Sequence, residues 1–348
     1  IRDGTVTGVQ TCALPIYGER QIGMEAGTVE VKTVTVAMAA AFLLAVAMSP
    51  LAIPVLRRLK FGQHVRSEGP QTHLKKKGTP TMGGIVILLA AAVSALRFAG
   101  NSPELAVLLV AAFGFGLVGF LDDYLKILFR RSLGLTARQK LFGQLLAAAA
   151  VCIMLARLGH DTSIAVPMTS ISVDGGWWLY APFLIFLFLG MSNAINFADG
   201  VDGLLAGLAS VAFGAFVVLA LLRSEPVNAV FAAAMVGALL GFLVFNAHPA
   251  KMFMGDVGSL GVGGGFVASA ALLKAELLSL LVGGVFVVEM LSVVLQVVSF
   301  KTRGKRIFKM SPLHHHFELS GWSEWQVVVA FWALGLACAA LGLAVSFR

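Results

Sequence analysis

Apolar runs of about 20 residues recur along almost the whole chain, and each is long enough to cross the core of a bilayer as a helix. Backbone polar groups in lipid must be satisfied within the segment, so a chain built this way folds as packed helices. Ten runs are visible: 33–56, 82–96, 105–121, 141–156, 178–195, 204–222, 227–245, 257–273, 277–298 and 327–347. They predict one all-α polytopic membrane domain of about ten transmembrane helices. Composition agrees: 58% of the 348 residues are hydrophobic and 13% charged, against about 25% charged in a soluble domain. No soluble domain remains to bind nucleic acid. Cys12, Cys152 and Cys338 are scattered and imply neither a disulfide framework nor a zinc site. The Gly-rich run "VGSLGVGGGFVASAALL" from Val257 has no βαβ surroundings. Its glycines are read as helix-packing positions rather than a nucleotide loop.

Positive charge sorts the connections into two sets. Connections 57–80, 122–140, 196–203, 246–256 and 299–324 carry eighteen of the 26 Lys and Arg residues. The opposite set carries Arg97, Arg157, Arg223 and Lys274. Cytoplasmic loops hold the positive excess. The basic set is therefore predicted to face the cytosol, with both termini extracytoplasmic. The net charge of +8 belongs mostly to that face, where it suits anionic headgroups and an anionic substrate alike. The opening stretch "IRDGTVTGVQTCALPIYGERQIG" lacks the periodicity of the rest of the chain. Residues 1–23 are expected not to belong to the domain, which is expected to span 24–348 from Met24.

The acids are placed lopsidedly. Asp122 and Asp123 close the third run, Asp199 and Asp202 follow the fifth, and Asp256 precedes the eighth, all on the basic side. Ionisable groups near a membrane are candidate functional groups. Asp202 and Asp256 could also be helix N-caps, and Asp199 could support the turn at Gly200. Glu289 alone falls near the middle of a run, where it is either paired inside the bundle or the mark of a transporter. Asp122 and Asp123 sit at the negative end of a helix dipole, which disfavours carboxylates by about 0.3–1 kcal/mol each. A neighbouring Lys or Arg, or a metal, is expected to offset them. Aspartates converging from three loops suit Mg²⁺, a hard ion held by few carboxylates plus water and phosphate oxygens.

The same face supplies donors. "HLKKKGTPTMGG" carries Lys75, Lys76 and Lys77; "LTARQKLFGQ" carries Arg138, Lys140 and Gln144; "KTRGKRIFKMSPLHHHFELSGWSE" carries five cations and His314, His315 and His316. This density suits a diphosphate. Three adjacent histidines rarely converge on one ion, so they are read as hydrogen-bond donors.

The motifs "KKKGTPTMGG", "LDDYLK", "NAINFADGVDGL", "FMGDVGSLG" and "SPLHHHFELSGWSE" occur in this order on one side of the membrane. From about Val34 to the C-terminus the chain resembles the bacterial phospho-N-acetylmuramoyl-pentapeptide transferases. These belong to the polyprenyl-phosphate N-acetylhexosamine-1-phosphate transferases. The aspartate motifs are similar to that superfamily at large, and the triple-histidine loop separates this branch from relatives that use UDP-GlcNAc. The resemblance implies ten transmembrane helices, a homodimer, a cytosolic cleft with Mg²⁺, and residence in the bacterial cytoplasmic (inner) membrane. It implies transfer of phospho-MurNAc-pentapeptide from UDP-MurNAc-pentapeptide to undecaprenyl phosphate, giving lipid I and UMP, the first membrane step of peptidoglycan synthesis.

Carried onto this sequence, the resemblance makes Asp256 the Mg²⁺ ligand, Asp122 the base acting on the lipid phosphate, and Asp123 its assistant. Asn196, Asp199 and Phe253 would line the uridine pocket, with Phe253 stacking on uracil, and Asn193 would be a further substrate-binding residue. Asp202, Lys76, Thr81, His314, His315 and His316 would flank the nucleoside and diphosphate, and Lys140 would contact phosphate. The pair Phe197-Ala198 departs from the Leu-Thr that relatives often carry there, which puts one pocket wall in doubt. A sister transferase using UDP-GlcNAc is the nearest alternative. A secondary transporter fits less well, because the acids lie at one surface rather than at the midplane between repeated halves.

Overall fold

The computed structural model describes residues 30–58, 78–129, 134–169 and 171–347. The opening stretch 1–29 and the lysines at 75–77 lie outside the described residues. Twelve helices occur among the described residues: α1 Val31–Arg58, α2 Gly84–Ala99, α3 Pro103–Leu128, α4 Ala137–Arg157, α5 Gly176–Phe197, α6 Leu204–Leu222, α7 Pro226–Asn246, α8 Gly255–Leu272, α9 Glu276–Val282, α10 Gly284–Arg303, α11 Leu313–Glu318 and α12 Glu324–Ser346. One antiparallel pair, β1 Ile164–Ala165 with β2 Ser172–Val173, joins α4 to α5.

Eight of these helices (α1, α3, α4, α5, α6, α7, α10 and α12) are long and apolar enough to cross a membrane. With the shorter α2 and the Gly-rich α8, they account for the ten expected runs. The chain is thus an all-α polytopic membrane protein. One expectation is corrected. The run 277–298 is not a single helix but breaks at Gly283 into α9 and α10. Two adjacent glycines, Gly283 and Gly284, supply the cause, since each is about 1 kcal/mol less favourable in a helix than Ala.

Helices α6, α7 and α8 form the interior. Every residue of α8 from Val257 to Ala271 is buried, which explains its small residues: there is room for little else. Helices α1, α10 and α12 are peripheral and present Leu43, Leu51, Leu291, Leu295, Leu336 and Leu341 outward, as a lipid-facing surface requires. Clear start signals fix several ends. Ser102 caps α3 ahead of Pro103, and Thr136 with Gln139 and Ser323 with Gln326 form reciprocal capping boxes on α4 and α12.

The contact that builds the site is α3 against α8. A methyl group on Gly119 would overlap the Asp256 carbonyl, and one on Gly264 would lie 2.5 Å from the Ala111 carbonyl oxygen. Glycine at these positions lets two backbones meet almost directly, as the sequence reading of that run anticipated. The close approach brings the start of α8 beside the end of α3, and Asp256 beside Asp122 and Asp123.

Candidate active site

Asp122, Asp123 and Asp256 each offer a carboxylate oxygen, and these oxygens lie within 4.8 Å of one another. Asp122 and Asp123 are buried and Asp256 is half-buried. Asp256 sits in the first turn of α8 but does not cap it; the N-cap position is Met254, without a side-chain bond. Instead its Oδ1 accepts from Asn196 Nδ2 at 2.9 Å, and its Oδ2 pairs with Lys126 Nζ at 3.0 Å and Lys140 Nζ at 2.9 Å.

Lys126 is the counter-charge that the paired aspartates require. One turn beyond them on α3, its Nζ lies 2.6 Å from Asp122 Oδ2 and 3.3 Å from Asp123 Oδ1. The sequence reading expected a cation here but did not single out this one. The i, i+3 and i, i+4 spacing within "DDYLK" was the available signal. Backbone amides complete the arrangement: Leu135 N–H donates to Asp122 Oδ1 at 2.8 Å and Val257 N–H to Asp123 Oδ2 at 3.3 Å.

The other expected residues divide into those at the cluster and those behind it. Asn196 bridges Asp256 and Ser259, donating to Ser259 Oγ at 2.7 Å, and Lys140 Nζ lies 3.4 Å from its Oδ1. Thr81 stands beside them: a Cβ on Gly255 would lie 2.7 Å from Thr81 Oγ1 and 2.6 Å from Asp123 Oδ2. Gly255 has φ +72°, so a side chain there would be strained as well as crowded. Asp199 accepts from the Gly255 amide; burial, then the charges of Asp256 and Asp123, push its carboxyl up to about 8. Phe253 is half-buried, with its N–H donating to Pro80 O at 2.8 Å and its carbonyl accepting from Gly83 N–H at 2.9 Å. The segment 80–83 is thereby tied to the "FMGD" turn. Asn193 lies one turn back along α5, donating to Gln144 Oε1 at 2.9 Å.

Asp202 points elsewhere. Its Oδ2 accepts from the Ala250 amide at 3.0 Å and lies 3.2 Å from His248 Nδ1, which also approaches Glu324 Oε2 at 3.2 Å. Nor does Asp202 cap α6, whose N-cap is Gly203 at φ +79°. Of the three histidines, His314 is fully buried against Glu289, His315 pairs with Glu318 at 2.6 Å, and His316 Nδ1 accepts from Lys309 N–H at 3.1 Å. Lys76 lies outside the described residues.

The fit to a divalent metal rests on the donor set. Three carboxylates within 4.8 Å of one another present only hard oxygen ligands, the set that Mg²⁺ prefers. No thiolate takes part.

Residues 105–274 match the model of glycosyl transferase family 4, and residues 76–88 match signature 1 of the phospho-N-acetylmuramoyl-pentapeptide-transferases. The chain is 56% identical over 306 residues to the phospho-N-acetylmuramoyl-pentapeptide-transferase of Bacillus subtilis, covering 87% of this chain and 94% of that one. It is 55% identical over 316 residues to that of Geobacillus kaustophilus, covering 90% and 97%. The chain belongs to the phospho-N-acetylmuramoyl-pentapeptide-transferase family. The stretch matched by the glycosyl transferase model contains Asp122, Asp123, Asp199, Asp202 and Asp256, together with Lys126, Lys140 and Asn196. The signature reaches from Lys76 through Thr81 into α2.

Proposed function

We propose that this chain transfers phospho-MurNAc-pentapeptide from UDP-MurNAc-pentapeptide to undecaprenyl phosphate, giving lipid I and UMP. The observation that carries this reading is the junction of three aspartates with Lys126 and Lys140 where α3 meets α8. A lipid phosphate and a sugar-nucleotide diphosphate are both anions, and phosphoryl transfer between them needs positioning and charge neutralisation more than covalent help. A phosphate oxygen of the lipid bonds to the sugar-bearing phosphorus. The bond from that phosphorus to the oxygen bridging the two phosphates breaks, and UMP departs with the bridging oxygen.

Asp122, steadied by the Leu135 amide, takes the proton from the lipid phosphate, and Asp123 assists it. Asp256 would hold Mg²⁺, with Asp122 and Asp123 within reach of the same ion. When bound, the ion supplies positive charge to the diphosphate oxygens. Lys140 and Lys126 bring cationic donors to the phosphates. Asn196 orients Asp256 from the other side, while Asp199 and Phe253 face the nucleoside. Thr81, Asn193, Lys76, His315 and His316 complete the donor-substrate side, while Asp202 and the buried His314 support it from behind. The cluster end faces the cytosol in the bacterial inner membrane, both termini face outward, and the working unit is a homodimer.

Purified protein should release UMP from UDP-MurNAc-pentapeptide only when undecaprenyl phosphate and Mg²⁺ are both present. Equal release from UDP-GlcNAc would overturn the assignment in favour of the sister activity.

A further inference from the structure

The triple-histidine segment folds back along α10. Ser299 Oγ donates to the Lys305 carbonyl at 2.9 Å. Farther in, Gln296 Oε1 accepts from the Ile307 and Phe308 amides, each at 2.9 Å, while its Nε2 donates to the Phe308 carbonyl at 2.9 Å. Farther still, Glu289 Oε2 accepts from the Leu313 amide at 2.7 Å, and its Oε1 from the His314 amide at 3.3 Å. Positions 289, 296 and 299 share one face of α10. Together they form a polar rail along which 305–314 runs antiparallel to the helix. Backbone polar groups of an irregular segment need partners, and the rail supplies them.

Glu289 is the innermost point of the rail and is fully buried, as is His314. Beyond the two amides, its Oε1 lies 3.1 Å from His314 Nδ1. The first residue of α11 has no side-chain cap of its own, because Pro312 occupies the N-cap; the carboxylate of α10 takes that place. The pairing leaves His314 Nε2 without a polar partner, turned to the turn between α5 and α6. A methyl group on Gly200 would overlap that nitrogen. The His314 ring is therefore clamped between a membrane-helix carboxylate and the turn that carries Asp199.

We propose that Glu289 is a positioning residue for the nucleotide side of the reaction: by anchoring α11 it holds the His314 ring against Gly200, and so sets the turn bearing Asp199. The inference rests on reading that turn as part of the nucleotide pocket. Glu289 touches no reacting atom. Its effect reaches substrate only through His314.

The test compares full-length wild type, Glu289→Ala and Glu289→Gln in detergent. Amide exchange across 309–318, affinity for UMP by calorimetry, and KM for each substrate are measured. Glu289→Ala should speed exchange over that segment about tenfold, weaken UMP binding about tenfold, and raise KM for UDP-MurNAc-pentapeptide in step. KM for undecaprenyl phosphate should stay within about twofold. Glu289→Gln, which keeps one acceptor oxygen, should recover most of the affinity. Faster exchange with unchanged UMP affinity would overturn the proposal, since Glu289 would then only cap α11. Unchanged exchange would overturn it too. Should the alanine variant fail to fold, Glu289→Asp, whose shorter side chain cannot reach both α11 amides, decides by the same readouts: wild-type values throughout would refute the role. Failure of wild-type protein to bind UMP would refute the nucleotide reading itself, and that is seen before any variant is compared.

Discussion

The two ends of α8 each carry buried acid, neutralised in opposite ways. At its start, Asp122, Asp123 and Asp256 share two cations, Lys126 and Lys140, so acids outnumber their partners. Just past its end, Glu276 is a single acid with its own cation: its Oε1 lies 3.3 Å from Lys274 Nζ and accepts from the Tyr180 hydroxyl at 2.7 Å, with His160 Nε2 3.0 Å from that hydroxyl, while its Oε2 has no partner. Lys274 Nζ also lies 4.8 Å from the centre of the Tyr180 ring, a cation–π contact. A matched acid is a strut. A surplus of acids held close together, with one of them only half-buried, is a place suited to further positive charge. The difference shows why burial alone does not mark a site; the balance of charge around the buried group does.

Removing an acid from each end should have unequal effects. Asp256→Ala should lower kcat/KM by about 10³-fold or more, since it removes the proposed metal ligand along with the partner of two lysines. Near-normal turnover at millimolar Mg²⁺ would make the cluster another strut. Asp122→Asn should cut kcat by about 10²-fold while KM for the nucleotide holds; a change confined to KM would remove Asp122 from proton transfer. At the far end, Glu276→Gln or Tyr180→Phe should leave kcat/KM of the folded enzyme unchanged. Either should cost about 1–2 kcal/mol of stability by unpairing buried groups, read as a lower thermal midpoint in detergent. A large loss of activity there would collapse the distinction.

The two ends should also answer pH in opposite directions. Asp199 has its carboxyl raised to about 8, well above its unfolded value. The folded state then holds the extra proton, so this group's contribution to stability falls as pH rises from about 4 to 8. At the other end, burial and then the Lys274 charge lower His160 to about 4. Here the unfolded state holds the extra proton, and stability falls as pH drops from about 6.5 to 4. Asp199→Asn should therefore gain midpoint temperature over wild type at pH 8 but not at pH 5, and His160→Asn at pH 5 but not at pH 8. Parallel shifts across pH would show that neither group titrates as its surroundings dictate.

Much of this was legible in the sequence because lipid leaves few options. Apolar runs of spanning length located the helices, and the run from Val257 declared its packing role through its glycines. The break at Gly283 was hidden because the apolar pattern continues through it. The acids were legible as a set because each falls at a helix end on the basic face. Their partners were less so: Lys126 was one basic residue among many on that face, and only the fold shows its ammonium reaching three carboxylates. Glu289 and Gln296 were the least legible, since what they bind is backbone rather than a side chain that pattern could flag. Asp202, which reads as an acid of the cleft, turns instead to His248 and Ala250 through contacts that no local spacing announces.

The contact between α3 and α8 has a mechanical side. Gly264 is eight residues, about 12 Å, along the helix from Asp256, and it meets the Ala111 carbonyl with no side chain between. The helix is thus a lever resting on bare backbone, with the Asp256 carboxylate at its tip. A single added methyl at the fulcrum would be felt not as a local bulge but as a tilt at the far end. The spacing of the acids is set by atoms that the glycines leave out.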